Sequence, residues 1–268
     1  MNKIHFYKFD GAGNDFVLVD ARQADPRLSA DQIAQICHRR FGVGADGLMA
    51  LGVGEGRYAF KMLYYNSDGR TADMCGNGGR CIAMFAFLLG LAPLQEGAAL
   101  EFLAADGPHR ATLKRWDSEQ KKGVIALSMR DVPAGEIAEV LDGHLLNTGV
   151  PHFVLEVQDL DHYDVASEGR RLRFHPSMGE AGANVNFVER QQDGTLKVRT
   201  YERGVEDETW ACGTGVTACA IVTGCGEIHA RGGDFEVAYC SPESVKAAYT
   251  QVVLTGPVSL NFEGDLEI

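Results

Sequence analysis

The chain of 268 residues is poor in proline, with 8, and has only 2 tryptophans. Its 7 cysteines form no C-x-x-C pair, which argues against a zinc knuckle or a thioredoxin-like site. No apolar run is long enough to cross a bilayer. The longest, Ile82 to Ala92, falls short of the roughly 20 residues that a span needs. Positive charge is also scarce: 25 Lys and Arg face 37 Asp and Glu, a net charge of -12. Neither a nucleic-acid backbone nor an anionic membrane is therefore expected as a partner. The opening residues Met1-Asn2-Lys3-Ile4-His5-Phe6 lack the apolar stretch of a signal peptide, so a cytoplasmic location with reduced thiols is expected. The 8 histidines show no H-x-x-x-H spacing and no P-loop occurs, so no metal is expected.

What is present describes a globular protein. Hydrophobic residues make up 45% and charged residues 23%, enough for a sizeable core. The length suggests about two domains. Strands are expected at Ile4–Phe9, Phe16–Val19, Leu48–Leu51 and Tyr58–Tyr65, and later at 152–157, 184–189, 196–201, 235–239, 251–255 and 258–262. Ser29 with Gln32 has the spacing of a capping box, and Ile33, Ile36 and Cys37 share one face of the helix it opens. The segment Met74 to Arg80 leads into a helix, Cys81–Leu89, that is apolar all round and so should be buried on every side. A second buried helix follows Cys212. The polar segment Asp117–Gly123 marks a boundary between lobes of 1–117 and 118–256, with about 257–268 returning to the first.

The chain also repeats itself at an offset of 137 residues, close to half its length. Phe16-Val17-Leu18 maps onto Phe153-Val154-Leu155, and Tyr64 onto Tyr201. Cys75, Gly76 and Gly78 map onto Cys212, Gly213 and Gly215. Each copy reads as an apolar strand, a strand ending in Tyr, a polar loop, Cys-Gly-x-Gly and a buried helix. The expected fold class is therefore α/β (α+β), with two pseudo-symmetric lobes.

A thiol at a helix start faces free backbone N–H groups and the positive end of the helix dipole. A free thiol is about 3% ionised at pH 7. A helix end is worth roughly 0.3–1 kcal/mol, up to ~2 when partly buried, which brings the thiol near neutrality, where acid–base catalysis works best. Cys75 and Cys212, one per lobe, would line a cleft. Like charges discourage ionising both, so one thiolate and one thiol are expected. A base on one face of a carbon and an acid on the other invert a stereocentre. Cys37, Cys81, Cys219 and Cys225 read as packing on helical faces, and Cys240 is left open.

Two glycine motifs bear on dinucleotide binding. Gly42–Gly47 has a helix before it and a strand after it, the reverse of what that fold needs. Gly213–Ala218 opens a helix but follows a cysteine and lacks the acidic residue at the usual distance. A thiol redox switch pairing Cys75 with Cys212 is the non-enzymatic alternative.

The segments Phe9–Phe16, Tyr65–Gly69, Met74–Cys81, Tyr201–Gly204 and Glu208–Gly215 together resemble the diaminopimelate epimerase family, in order over nearly the whole chain. The resemblance implies a pyridoxal-independent epimerase with no cofactor, interconverting LL- and meso-2,6-diaminopimelate for lysine and peptidoglycan precursors. It also implies a barrel-like mixed sheet around a central helix in each lobe, and a homodimer. By matching positions, Cys75 and Cys212 are the acid–base pair. Gly76, Asn77, Gly213 and Thr214 give backbone donors to the reacting carboxylate. Asn14, Asn66, Asn184, Glu202 and Arg203 hold the substrate, and His152 lies near one thiol. The chain departs from the commonest family pattern at Gly47, where Gln is usual, and Val150, where Asn is usual. A racemase of another amino acid on the same fold is the alternative that these departures raise.

Overall fold

The computed structural model describes residues 3–23, 27–244 and 246–267. Its elements run β1 (Lys3–Gly11), β2 (Asn14–Asp20), α1 (Ala30–Cys37), β3 (Gly47–Val53), β4 (Phe60–Asn66), α2 (Gly76–Leu88), β5 (Ala99–Ala104), β6 (Gly107–Asp117), β7 (Lys122–Ser128), β8 (Val132–Pro133), β9 (Ala138–Val140), β10 (Gly143–Asn147), β11 (Pro151–Glu156), α3 (Val165–Arg173), β12 (Asn184–Arg190), β13 (Leu196–Glu202), β14 (Asp207–Thr209), α4 (Gly213–Thr223), β15 (Glu227–Ala230), β16 (Gly233–Cys240) and β17 (Ala248–Glu267). They form two units, Met1–Leu127 with Gly256–Ile268, and Ser128–Thr255.

In the first unit β1 to β7 hydrogen-bond in succession, and β17 pairs with both β1 and β7. The sheet thus closes into an eight-stranded barrel, which leaves no open edge. The β2–β3 and β4–β5 pairs are parallel, so each needs a crossover. Helix α1 makes the first and α2 the second. Every residue of α2 from Gly76 to Phe87 is buried, as its all-round apolar sequence requires. It packs on β1, β2, β3 and β6. The capping box at Ser29 and Gln32 is present on α1.

The second unit repeats the plan. The β11–β12 and β13–β15 pairs are parallel. Helix α3 lies in the first crossover and α4 in the second. Helix α4 packs on β10, β11, β12, β13, β15 and β16. Cys75 and Cys212 are the N-cap residues of α2 and α4. The fold is the mixed α/β architecture expected, with few helices.

Several elements differ from the sequence reading. Helix α2 begins at Gly76, not Cys81. Glycine in a helix costs about 1 kcal/mol relative to alanine, which argues against a helical Gly76-Asn77-Gly78-Gly79. Close packing outweighs that cost. A Cβ at Gly78 would lie 2.1 Å from Met49 Cε, and one at Gly79 2.2 Å from Met74 Cε. The two late strands are one long strand, β17. Helix α3, rich in Arg, has no counterpart among the expected elements, although α1 shifted by 137 residues falls on it. Cys225 is not on a helical face: α4 ends before it at the left-handed Gly224, and its Sγ points to Gly194 O at 3.2 Å. The polar segment 117–123 is the turn between β6 and β7, and the division between units falls after Leu127.

Gly11, at the end of β1, touches the first turn of α2. A Cβ there would sit 2.8 Å from Asn77 O and 3.0 Å from Cys81 Sγ. Gly11→Ala is expected to lower stability by about 1–3 kcal/mol through overpacking, read as a lower urea midpoint with an unchanged m-value.

Candidate active site

Topology decides which side chains meet Cys75. The parallel β2–β3 pairing sets Phe16 opposite Gly47. Asp46, just before β3, therefore lies beside Asn14 and Asp15 at the start of β2. Asp46 accepts from Asn14 Nδ2 at 2.7 Å and from Asp15 N–H at 3.2 Å. Arg39 donates to both carboxylates, at 2.7 Å to Asp15 and 2.6 Å to Asp46. Buried Lys8 donates to Asp15 at 2.5 Å and also to Gly44 O. Burial alone would push the Asp15 carboxyl up. The Arg39 and Lys8 hydrogen bonds and charges outweigh it and hold the pKa down to about 2.

Asn14 in turn meets the helix start. The Cys75 thiol donates to Asn14 Oδ1 at 3.6 Å, and Asn77 Nδ2 donates to the same oxygen at 3.4 Å. Arg80 is fully buried one turn into α2. It donates to Gly76 O at 3.1 Å and to Asn77 Oδ1 at 2.9 Å. Burial pulls its pKa down to about 10, so it remains a cation at neutral pH. Cys75 is half-buried. Asn66 stands exposed at the end of β4, opposite Gly47. A Cβ at Gly47 would lie 2.5 Å from Tyr65 O and 2.8 Å from the Tyr64 ring. Any larger residue at 47 thus requires this pair to move.

In the second unit the side chains hydrogen-bonded around His152 are neutral. The parallel β11–β12 register sets His152 opposite Asn184, and the β12–β13 register sets Asn186 opposite Thr200. Asn186 Oδ1 accepts from the Thr200 hydroxyl at 3.0 Å, so its amide nitrogen turns to Phe153 O at 3.0 Å and to His152 Nδ1 at 3.1 Å. Nδ1 is thereby the accepting nitrogen, and Nε2–H donates to Thr214 Oγ1 at 2.9 Å. That leaves the Thr214 hydroxyl hydrogen for Cys212 Sγ, at 3.4 Å. Burial, with the Arg203 charge adding to it, pushes the His152 pKa down to about 3. The ring is therefore neutral at neutral pH. Asn184 Oδ1 accepts from Arg203 N–H at 2.7 Å, and its amide nitrogen lies 3.4 Å from His152 Nε2. Glu202 accepts from Thr209 Oγ1 at 2.5 Å. The Gly213 and Thr214 carbonyls accept from Thr217 and Thr148 at 3.0 and 2.8 Å.

Each unit therefore gathers a thiol and polar side chains at the start of a buried helix. The other buried cysteines are unsuited to acid–base work. Burial pushes Cys37 up to about 11, and pushes Cys81 and Cys219 well up too. Among the described residues no group of His, Cys, Asp and Glu could hold a metal ion, and no helix is long and apolar enough to cross a membrane. Asp46, Arg80, Asn186 and Thr200 were missed in the sequence. Asn186 was within reach, because it shares a strand face with Asn184 two residues away. Arg80 was not, since nothing in its motif says that the side chain folds back to the helix start.

The native state leaves His152 unprotonated where the unfolded chain takes up a proton, from the usual pKa of 6.5 down to about 3. Stability is expected to fall as the pH drops through that window. His152→Gln should flatten the slope between pH 7 and 5 in urea titrations.

Comparison with known proteins agrees over the same span. The sequence model of the family described as Diaminopimelate epimerase matches residues 6–124 and 144–260. A diaminopimelate epimerase of Flavobacterium psychrophilum is 41% identical over 267 residues, covering 96% of this chain and 98% of that one. Among solved structures, a PhzF-family phenazine biosynthesis protein of Bacillus anthracis superposes with a TM-score of 0.73 at 15% identity, covering both chains in full. A hydroxyproline epimerase of Agrobacterium vitis, solved with bound trans-4-hydroxy-L-proline, gives 0.68 at 15% identity, covering 99% of this chain and 91% of that one. At such identities these structures speak to the fold alone.

Proposed function

Since the chain belongs to the diaminopimelate epimerase family, we propose that it interconverts LL- and meso-2,6-diaminopimelate by proton transfer at the α-carbon between Cys75 and Cys212, without pyridoxal. The observation that carries this is the matched pair of thiols, each the N-cap of a buried helix that opens with glycine, at equivalent positions of a duplicated chain. One sulfur, as thiolate, removes the α-proton, and the electron pair left behind spreads into the adjoining carboxylate. The other, as thiol, returns a proton to the opposite face. The stereocentre is inverted and the proton has moved from one sulfur to the other.

The first-turn N–H groups at Gly76, Asn77, Gly213 and Thr214 are assigned to the reacting carboxylate, whose charge grows as the proton leaves. Arg203 suits the distal carboxylate, because its planar fork pairs bidentately. Glu202 suits an ammonium group. Asn14, Asn66 and Asn184 are assigned to substrate contact, and His152 to holding Thr214. A cytoplasmic homodimer serving lysine and peptidoglycan precursor synthesis completes the proposal.

The direct test is incubation with each stereoisomer in deuterated water. Deuterium should enter the α-carbon of diaminopimelate and not of proline, hydroxyproline or other amino acids offered alongside. Turnover of a different amino acid would move the assignment to a racemase, and a reversible disulfide without any turnover would favour a redox switch. Cys75→Ala and Cys212→Ala should each abolish epimerisation in a folded protein, and near-normal rates from either would end the two-thiol assignment. Arg203→Lys should raise KM by about tenfold or more, since losing a bidentate ionic contact costs on the order of 1.5–3 kcal/mol. An unaltered KM would remove Arg203 from the site.

A further inference from the structure

The hydrogen bonds around Asn14 can run in only one direction. A carboxylate only accepts and a guanidinium only donates. Asp46 Oδ2, at 2.7 Å, therefore takes the amide nitrogen of Asn14, which turns Asn14 Oδ1 toward Cys75 Sγ at 3.6 Å. At the other end Arg80 takes Asn77 Oδ1, which turns the Asn77 nitrogen toward that same Asn14 oxygen at 3.4 Å. The chain Arg80→Asn77→Asn14→Asp46 is thus set by an ion at each end. Asp46 is itself held by Arg39 and by the Asp15 N–H.

The oxygen so presented distinguishes the two forms of the thiol. An S–H group can donate to Asn14 Oδ1, whereas a thiolate would face a lone pair. An amide turned the other way would offer N–H and favour the thiolate. We propose that Asp46 is a positioning residue for Cys75: it locks the Asn14 amide with its oxygen toward the sulfur, so that the amide favours a proton on Cys75. In the two-thiol scheme, on whose reading of Cys75 the catalytic relevance rests, one sulfur must begin protonated, and this amide chain favours a proton on Cys75.

Other charges also bear on Cys75. Arg80, from α2, favours the thiolate. Cys81, on the same helix, also acts on Cys75 and feels Asp10 on β1 and Asp15 on β2, and Lys8 and Arg39 are paired with Asp15. All of these are the same in the variants compared below. What Asp46→Asn changes is the amide lock and one negative charge, and the two effects must be separated.

Alkylation of Cys75 by iodoacetamide across a pH series does so. The tryptic peptide Thr71–Arg80 contains this one cysteine, so mass spectrometry reads its rate in the full chain. The proteins are wild type, Asp46→Asn, Asn14→Ala and the double variant, a cycle that isolates the coupling between the two side chains. Losing the charge lowers the alkylation midpoint in both backgrounds. Freeing the amide lowers it only where Asn14 is present. The expected result is a downward shift from Asp46→Asn that is larger by about half a pH unit or more with Asn14 than with alanine. Equal shifts in both backgrounds, no shift, or an upward shift would overturn the proposal. Asp46→Ser, which keeps an oxygen for the Asp15 N–H, carries the same expectation should the asparagine variant fold poorly. Because the readout is alkylation and not turnover, a chain that does not epimerise diaminopimelate can still pass, and a competent epimerase can still fail.

Discussion

Both clusters in this protein depend on burying the first turn of a helix within a sheet. The opening N–H groups of a helix have no partner inside it, and the helix dipole leaves them partly positive. Surface helices satisfy them with a Ser, Thr, Asp or Asn cap, as α1 does with Ser29. Helices α2 and α4 instead place a cysteine at the N-cap, and its side chain makes no capping hydrogen bond. The strands that surround these helices must then bring polar groups to their starts. The parallel pairs β2–β3 and β11–β12 do this, because each carries two strand starts to the same end of the sheet. Glycine follows from the same constraint. Gly215 has no room for a Cβ, which would lie 2.4 Å from Asn186 Oδ1.

The duplication preserves this scaffold and not its polar lining. Around Cys75 stand ions, namely Lys8, Asp15, Arg39, Asp46 and Arg80. Around Cys212 the hydrogen-bonded side chains Thr214, His152, Asn186 and Thr200 are neutral, although the Arg203 charge reaches His152. Burial accounts for part of the contrast, since Arg80 is a cation and Lys8 pairs with Asp15 although both are buried. Arg39 is 59% exposed and Asp46 40%, so water pays part of the cost of their charges. His152 is fully buried, and a proton on it would lack that solvation, so the ring stays neutral and works through its tautomer. The two networks reach their sulfurs with opposite polarity, a carbonyl oxygen at Cys75 and a hydroxyl hydrogen at Cys212. A repeat that is symmetric in backbone can thus present its two thiols with unlike hydrogen-bond partners.

What was legible in the sequence lay in features that are local or periodic. The capping box of α1, the alternation of the strands and the all-round apolar helices come from contacts within a few residues. The repeat was visible because Cys-Gly-x-Gly and Phe-Val-Leu recur at one offset. The start of α2 was not legible, since local propensity opposes glycine in a helix and only the contacts with Met49 and Met74 overrule it. Helix α3 was hidden for a similar reason: with Arg170, Arg171 and Arg173 it is polar, and its buried residues are only Val165, Gly169 and Leu172.

By itself, the sequence determined the fold class, the repeated Cys-Gly-x-Gly motif and the family, because these rest on residue type, spacing and order. The tertiary structure decided which groups speak to each thiol. Asp46 is 29 residues before Cys75 and reaches it only through Asn14, by way of a parallel strand pair. Asn186 is 34 residues after His152 and selects its tautomer across another. Hydrogen-bond direction depends on what lies within about 3 Å, and in a sheet closed by crossovers those neighbours come from distant stretches of chain.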